Sequence, residues 1–201
     1  MLSNMLGWKQ VDLIHAGLLA VGSLRLGRLA DYATLENGRA DIADGSVEFA
    51  AQTLLAGVPE HRTAMTRLGM RAGAILASRF VHQSPPLYAL CLSECGCDYD
   101  PSPEIEKAVF QVNALHMLAY RLVEKHHDRI IGAEVRRVKY ERRSFDALER
   151  LATHADPFIK LPSFAREREI RIVFLPRPDT AFEPLHTDPD PVIAGLLSRL
   201  R

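Results

Sequence analysis

Cysteine is scarce in this chain and crowded into one place: three residues, Cys91, Cys95 and Cys97, all lie within seven positions. An odd, clustered set is no disulfide framework, so the thiols read as structural or incidental and a reducing, cytoplasmic setting is expected. The spacings C-x-x-x-C and C-x-C, with His82 and Asp98 nearby, also lack the paired pattern of a zinc site, and no metal is expected. No apolar run approaches the roughly 20 residues a membrane span needs. The N-terminal "MLSNMLGWKQVDLIHAG" lacks a basic n-region and is interrupted by Asp12 and His15, so it does not read as a signal peptide. Net charge is absent too, 25 basic residues balancing 25 acidic ones, which argues against a mainly electrostatic binder of nucleic acid or membrane. Missing as well are G-x-G-x-x-G, the P-loop, H-E-x-x-H and G-x-S-x-G, which removes several large enzyme classes.

What is present suits a single domain over residues 1–201, with 47% apolar residues to build a core. The expected order begins with a short helix over Gln10–Leu18 and a strand in "VGSLRLGRL". A turn-rich charged stretch around Asn37-Gly38 follows. Met65, Leu68, Ala72, Ile75 and Leu76 form a stripe that predicts a helix from Pro59 to Phe80. "LYALCLS" and "KAVFQV" read as strands, and Asn113 as the N-cap of a helix through "ALHMLAYRLVEKHH". Further on, "RIIGAEVRRVKY" and "EIRIVFLP" read as strands, "SFDALERLATH" as a helix begun by Ser144, and "TAFEPLH" as a last strand. "DPVIAGLLSRLR" reads as a closing helix. Without a clean βαβ alternation the fold class is α+β, with a mixed or mainly antiparallel sheet and flanking helices.

Most charged clusters have ordinary readings. His126-His127-Asp128 falls at a helix end, where cations favour the dipole, and His116 among apolar neighbours suits a core histidine. The basic run Arg136 to Arg143 divides between two faces of a strand and reads as a solvated edge. The segment "LENGRADIADG" is either an exposed loop of paired charges or, with Arg25 and Arg28, a guanidinium rim able to grip a diphosphate.

"AREREIRIVF" is the most informative stretch. At period two, Ile170, Ile172 and Phe174 share one face, and Glu167, Glu169 and Arg171 the other. Two neighbouring carboxylates raise one pKa unless cations neutralise them, for which Arg166, Arg168 and Arg171 are at hand. The pattern fits an alternating-charge strand edge. It equally fits a site in which one fixed carboxylate stabilises an oxocarbenium-like centre and a second orients or deprotonates an acceptor.

From Gly22 to Phe174 the chain resembles a broad family of uncharacterised bacterial and phage-associated proteins. The matching segments are "GSLRLGRLADY", "ENGRADIADG", "LYALCLSE", "VKY" and "FIKLPSFAREREIR", the last following the pattern F-x-K-x-x-x-[FY]-A-x-[QE]-x-E-x-R. This closing element also resembles the Gln/Glu-x-Glu turn of ADP-ribosyltransferases. That resemblance implies an ADP-ribosyltransferase-like fold and NAD as co-substrate. Arg25 or Arg28 would hold the diphosphate or ribose, and Ser93 would support the nicotinamide ribose and brace the glutamate. Glu169 would stabilise the transition state, and Glu167 would direct an unidentified macromolecular or small-molecule acceptor. Tyr32, closing the first segment, and Arg39, in the second, complete the expected ligand-binding set. A toxin, defence or counter-defence role is the matching biology. Two other readings stay open: a non-catalytic module binding a nucleotide, nucleic acid or protein, and a metal-dependent nuclease or hydrolase using Glu36, Asp41 and Glu169.

Overall fold

The computed structural model describes residues 5–33, 45–55, 59, 62, 66, 74–95, 107–142, 144–146 and 155–200. The chain opens with strand β1 (Gly7–Asp12), helix α1 (Leu13–Ala20) and strand β2 (Arg25–Arg28), followed by a 3-10 turn over Leu29–Ala33. Two longer strands follow, β3 (Ser46–Leu55) and β4 (Ala74–Gln83), then β5 (Tyr88–Ser93) and β6 (Lys107–Val112). Helix α2 (Leu115–Lys125) leads into β7 (Ile130–Arg137) and the short strands β8 (Lys139–Tyr140), β9 (Ser144–Asp146) and β10 (Ile159–Lys160). A second 3-10 turn, Pro162–Glu167, precedes β11 (Glu169–Pro176); β12 (Leu185–His186), helix α3 (Pro191–Leu196) and β13 (Leu197–Arg199) close the chain.

The architecture is mixed α+β, built on an eight-stranded open sheet whose pairs are all antiparallel. Its centre is a fork at β5. One edge of β5 pairs along its whole length with β11, which in turn pairs with β7. The other edge is shared: β2 takes Tyr88 and Ala89, and β1 takes Ser93 through Trp8. β3, β4 and β9 form a separate three-stranded sheet.

The alternation in β11 is realised as expected. Ile170, Ile172 and Phe174 pack with Leu90, Leu92 and Phe110 into the main core, under α1 and α2. Each such burial is worth about 1.5–3 kcal/mol. Helix α2 contributes Leu115, Leu118, Ala119 and Leu122, the i, i+3, i+4, i+7 stripe of an amphipathic helix. The opposite face of the sheet is not solvated. A second, smaller core of Leu29, Leu87, Ala89, Phe158 and Val173 covers it, with Tyr32 and Cys91 alongside.

Several local expectations are corrected. The expected helix Gln10–Leu18 begins at Leu13, because Gly7–Asp12 is held as a strand by six successive register pairs with β6. The expected helix Pro59–Phe80 does not persist: Ala74–Gln83 is a strand paired to β3, although Pro59, Arg62 and Thr66 are helical. Ser144 opens a strand parallel to β3 rather than a helix. The closing helix ends at Leu196, and Leu197–Arg199 joins the sheet edge on β6. Asn113 does not cap α2; Ala114 holds that position, and the Asn113 amide donates to the Ser198 hydroxyl at 3.1 Å. His116 is half-buried rather than a core residue, and Cys95 is disulfide-bonded, so the free-thiol expectation holds for Cys91.

Candidate active site: a buried ion-pair cluster

Where β11 begins, the chain makes a tight left-handed step. Arg168 has φ 44° and ψ 50°, a conformation that L-residues with a Cβ rarely adopt. Its carbonyl accepts from Glu94 N–H at 2.8 Å, tying the step to the end of β5. The step separates Glu167, the last residue of the 3-10 turn, from Glu169, the first of the strand. The two glutamates are therefore not successive residues of one regular strand face.

They converge on Lys160. Its ammonium lies 2.6 Å from Glu167 Oε2 and 2.8 Å from Glu169 Oε2, and its side chain is only 8% exposed. Arg171, fully buried, places Nε 2.5 Å from Glu169 Oε1 and donates through Nη1 to the Pro157 carbonyl. Two carboxylates and two cations thus share one largely buried site. Burial alone pushes the Glu169 carboxyl upward; Arg171 and Lys160 more than reverse it and hold it at about 2, so it is ionised throughout the neutral range. Burial pulls the Lys160 ammonium down, but Glu169 and Glu167 outweigh it and raise the group above its ordinary value. A solvated alternating-charge edge is therefore excluded: β11 lies inside the sheet, and Glu169 is 6% exposed.

Neighbouring polar groups complete the cluster. Ser93 is the register partner of Glu169 across β5 and β11, and its hydroxyl donates to the Glu167 carbonyl at 3.2 Å while accepting from Cys95 N–H. Tyr140 Oη accepts the Glu169 N–H at 2.7 Å. Tyr32 donates to the Ala89 carbonyl at 3.3 Å, and burial, with Cys91 and Glu169 nearby, raises its hydroxyl pKa well above the ordinary value. Burial pushes the Cys91 thiol up likewise, with Glu169 adding to the effect. Arg136, in register with Arg171, is drawn aside by Glu134 and Asp156 and lies over the Phe158 ring at 3.9 Å.

The structure thus brings together Glu167, Glu169, Ser93 and Tyr32 from the residues expected by sequence. It does not bring Arg28 to them. Arg28 pairs with Tyr88, at the far end of β5 from Ser93, and its guanidinium is engaged bidentately by Asp31 with a shortest contact of 2.7 Å. Arg25 is exposed on β2, opposite His186. Arg39, Glu36 and Asp41 lie outside the described residues. Arg166 and Arg168 are both exposed, and Arg168 Nε is 3.9 Å from Glu94.

Sequence reasoning assigned no role to Lys160, Tyr140 or Cys91. The signals were in the quoted motifs: Lys160 is the lysine of F-x-K, Tyr140 ends "VKY", and Cys91 sits two residues before Ser93 on the same strand face. No helix among the described residues is long and apolar enough to cross a membrane. No family model, curated protein or solved structure matches the chain.

Proposed function

We propose that the cluster is the reaction centre of an ADP-ribosyltransferase-like enzyme that uses NAD as donor. The supporting observation is the direct pairing of Ser93 with Glu169 on adjacent central strands, with Glu167 tied to the same lysine. Loss of nicotinamide leaves positive charge on the ribose carbon. A carboxylate fixed in a low-dielectric site stabilises that charge without having to reorganise. Glu169 has these properties: it is ionised, buried and held from both sides. Glu167, with the more exposed side chain of the two at 15%, would direct the acceptor. The test is nicotinamide release and label transfer from NAD in the presence of cell lysate. Removing one preorganised stabilising group lowers turnover by at least about 100-fold, so Glu169→Gln should fall by that much. Equal turnover by the wild type and a folded Glu169→Gln variant overturns the reading.

A second reading is favoured by the full partnering of Glu169, whose two oxygens each contact a cation. In it the cluster is a scaffold and the chain is a non-catalytic binding module. It predicts background turnover in wild type and variant alike, with the loss in Glu169→Gln confined to stability.

A further inference from the structure

β1 carries a polar side chain that the cluster does not use. Gly7 faces Leu92 and Leu115, and Val11 packs on the main core, so Trp8 and Gln10 project from the opposite face, the one bearing Ser93 and Glu169. Asp12, next along that face, is satisfied by Lys107. Gln10 is not: its Nε2 and Oε1 are both buried, and neither has a hydrogen-bond partner among the described residues. A buried carboxamide with both ends unsatisfied is rare in a folded protein and requires a reason. Half-buried Trp8 stands beside it and directly opposite Ser93. With strands about 4.8 Å apart, Trp8 is two strands, or roughly 10 Å, from Glu169, within the reach of one nucleoside.

We infer that Trp8 and Gln10 form a subsite for a flat heteroaromatic ring bearing a hydrogen-bond donor next to an acceptor. The indole supplies a stacking plane. The Gln10 amide supplies the complementary acceptor and donor, the pairing by which glutamine reads adenine. The carboxamide of nicotinamide offers the same edge. That the ring belongs to a nucleotide rests on the proposed transferase function; the subsite geometry does not.

Trp8 is the only tryptophan in the chain, so its fluorescence reports on the subsite directly. Wild-type protein is titrated separately with adenosine and with nicotinamide, and Gln10→Met is titrated in the same way. The expected result is saturable quenching by at least one ring, the responding arm identifying the source. Affinity should weaken at least tenfold in Gln10→Met, while the ligand-free variant unfolds at equal or higher denaturant, because an unsatisfied amide has been replaced by an apolar chain. Gln10→Leu repeats the measurement if the methionine variant does not fold. Absence of quenching at millimolar adenosine and nicotinamide, or unchanged affinity in the variant, overturns the subsite. Variants that are less stable when ligand-free show a structural role for Gln10 and also overturn it. Transfer activity that depends on Glu169 without any Trp8 response leaves the transferase standing and removes the subsite. A Gln10-dependent response without nicotinamide release does the reverse.

Discussion

Replacing Glu169 with glutamine should change not only how stable the protein is but how its stability depends on pH. In the fold this carboxyl sits at about 2 against an ordinary 4.5. At about 1.36 kcal/mol per pH unit, that difference corresponds to about 3 kcal/mol of stability. Because the folded value is the lower one, this contribution is complete above 4.5 and disappears as pH falls toward 2. About 2 kcal/mol of it is gone by pH 3. At neutral pH the substitution also weakens the hold on Arg171 and Lys160, and removing one partner of a buried pair typically costs about 3–5 kcal/mol. Wild type should therefore exceed Glu169→Gln by that amount at pH 7, with the gap about 2 kcal/mol narrower at pH 3. Urea unfolding followed by far-UV circular dichroism at the two pH values measures it. A gap of the same size at both would show that Glu169 titrates normally in the fold, and the ion-pair account of the cluster would be refuted.

Two further outcomes concern the C-terminal segment. Asp190 is 2% exposed, caps α3 by accepting from the N–H groups of Val192 and Ile193, and is paired with Arg121 and Lys125. Asp190→Ala should lower the unfolding free energy by about 2–4 kcal/mol in denaturant titration, combining a lost cap with a lost buried charge. A loss under 0.5 kcal/mol, the range of a neutral surface change, would contradict that role. Gly22 has φ +77°, and a Cβ there would lie 2.1 Å from the Asp190 carbonyl oxygen. Gly22→Ala should destabilise by more than the roughly 1–2 kcal/mol of left-handed strain alone, because backbone must also move; a smaller thermal shift than that strain implies would show that the contact relaxes freely.

The parts of the fold legible in the sequence were those in which pattern and environment agree. Tyr88–Ser93, Lys107–Val112 and Glu169–Pro176 are short apolar or alternating runs, and each forms a strand. Leu115, Leu118 and Leu122 announced α2 by their spacing. The failures share one cause. The apolar residues from Met65 to Leu76 match a helical period, yet Ile75 and Leu76 pair with Leu54 and Thr53 of β3, and a cross-strand ladder outweighs local period. Gln10 and Val11, expected at the start of a helix, mislead in the same way, since β6 decides their conformation.

At the site, the convergence of Glu167 and Glu169 was legible but its mechanism was not. Period-two reading placed both on one strand, whereas the left-handed Arg168 and a lysine seven residues upstream of Glu167 bring them together. Lys160 lies in the F-x-K element, whereas Arg166 and Arg168 stand closer to the glutamates in sequence. Backbone direction rather than proximity decided which cations reach the carboxylates. The distance from Arg28 to the cluster follows from the fork at β5, and sheet order of that kind is not written in local spacing.

The buried Glu169 carboxylate is proposed to serve chemistry rather than architecture alone. The most direct measurement is nicotinamide release from NAD by wild type, Glu169→Gln and Asp190→Ala, each shown to be folded by circular dichroism. Asp190→Ala controls for loss of stability away from the cluster. The account predicts release by wild type and by the folded Asp190→Ala protein, with at least about a 100-fold loss confined to Glu169→Gln. Release at the same rate from all three, or from none, would contradict it.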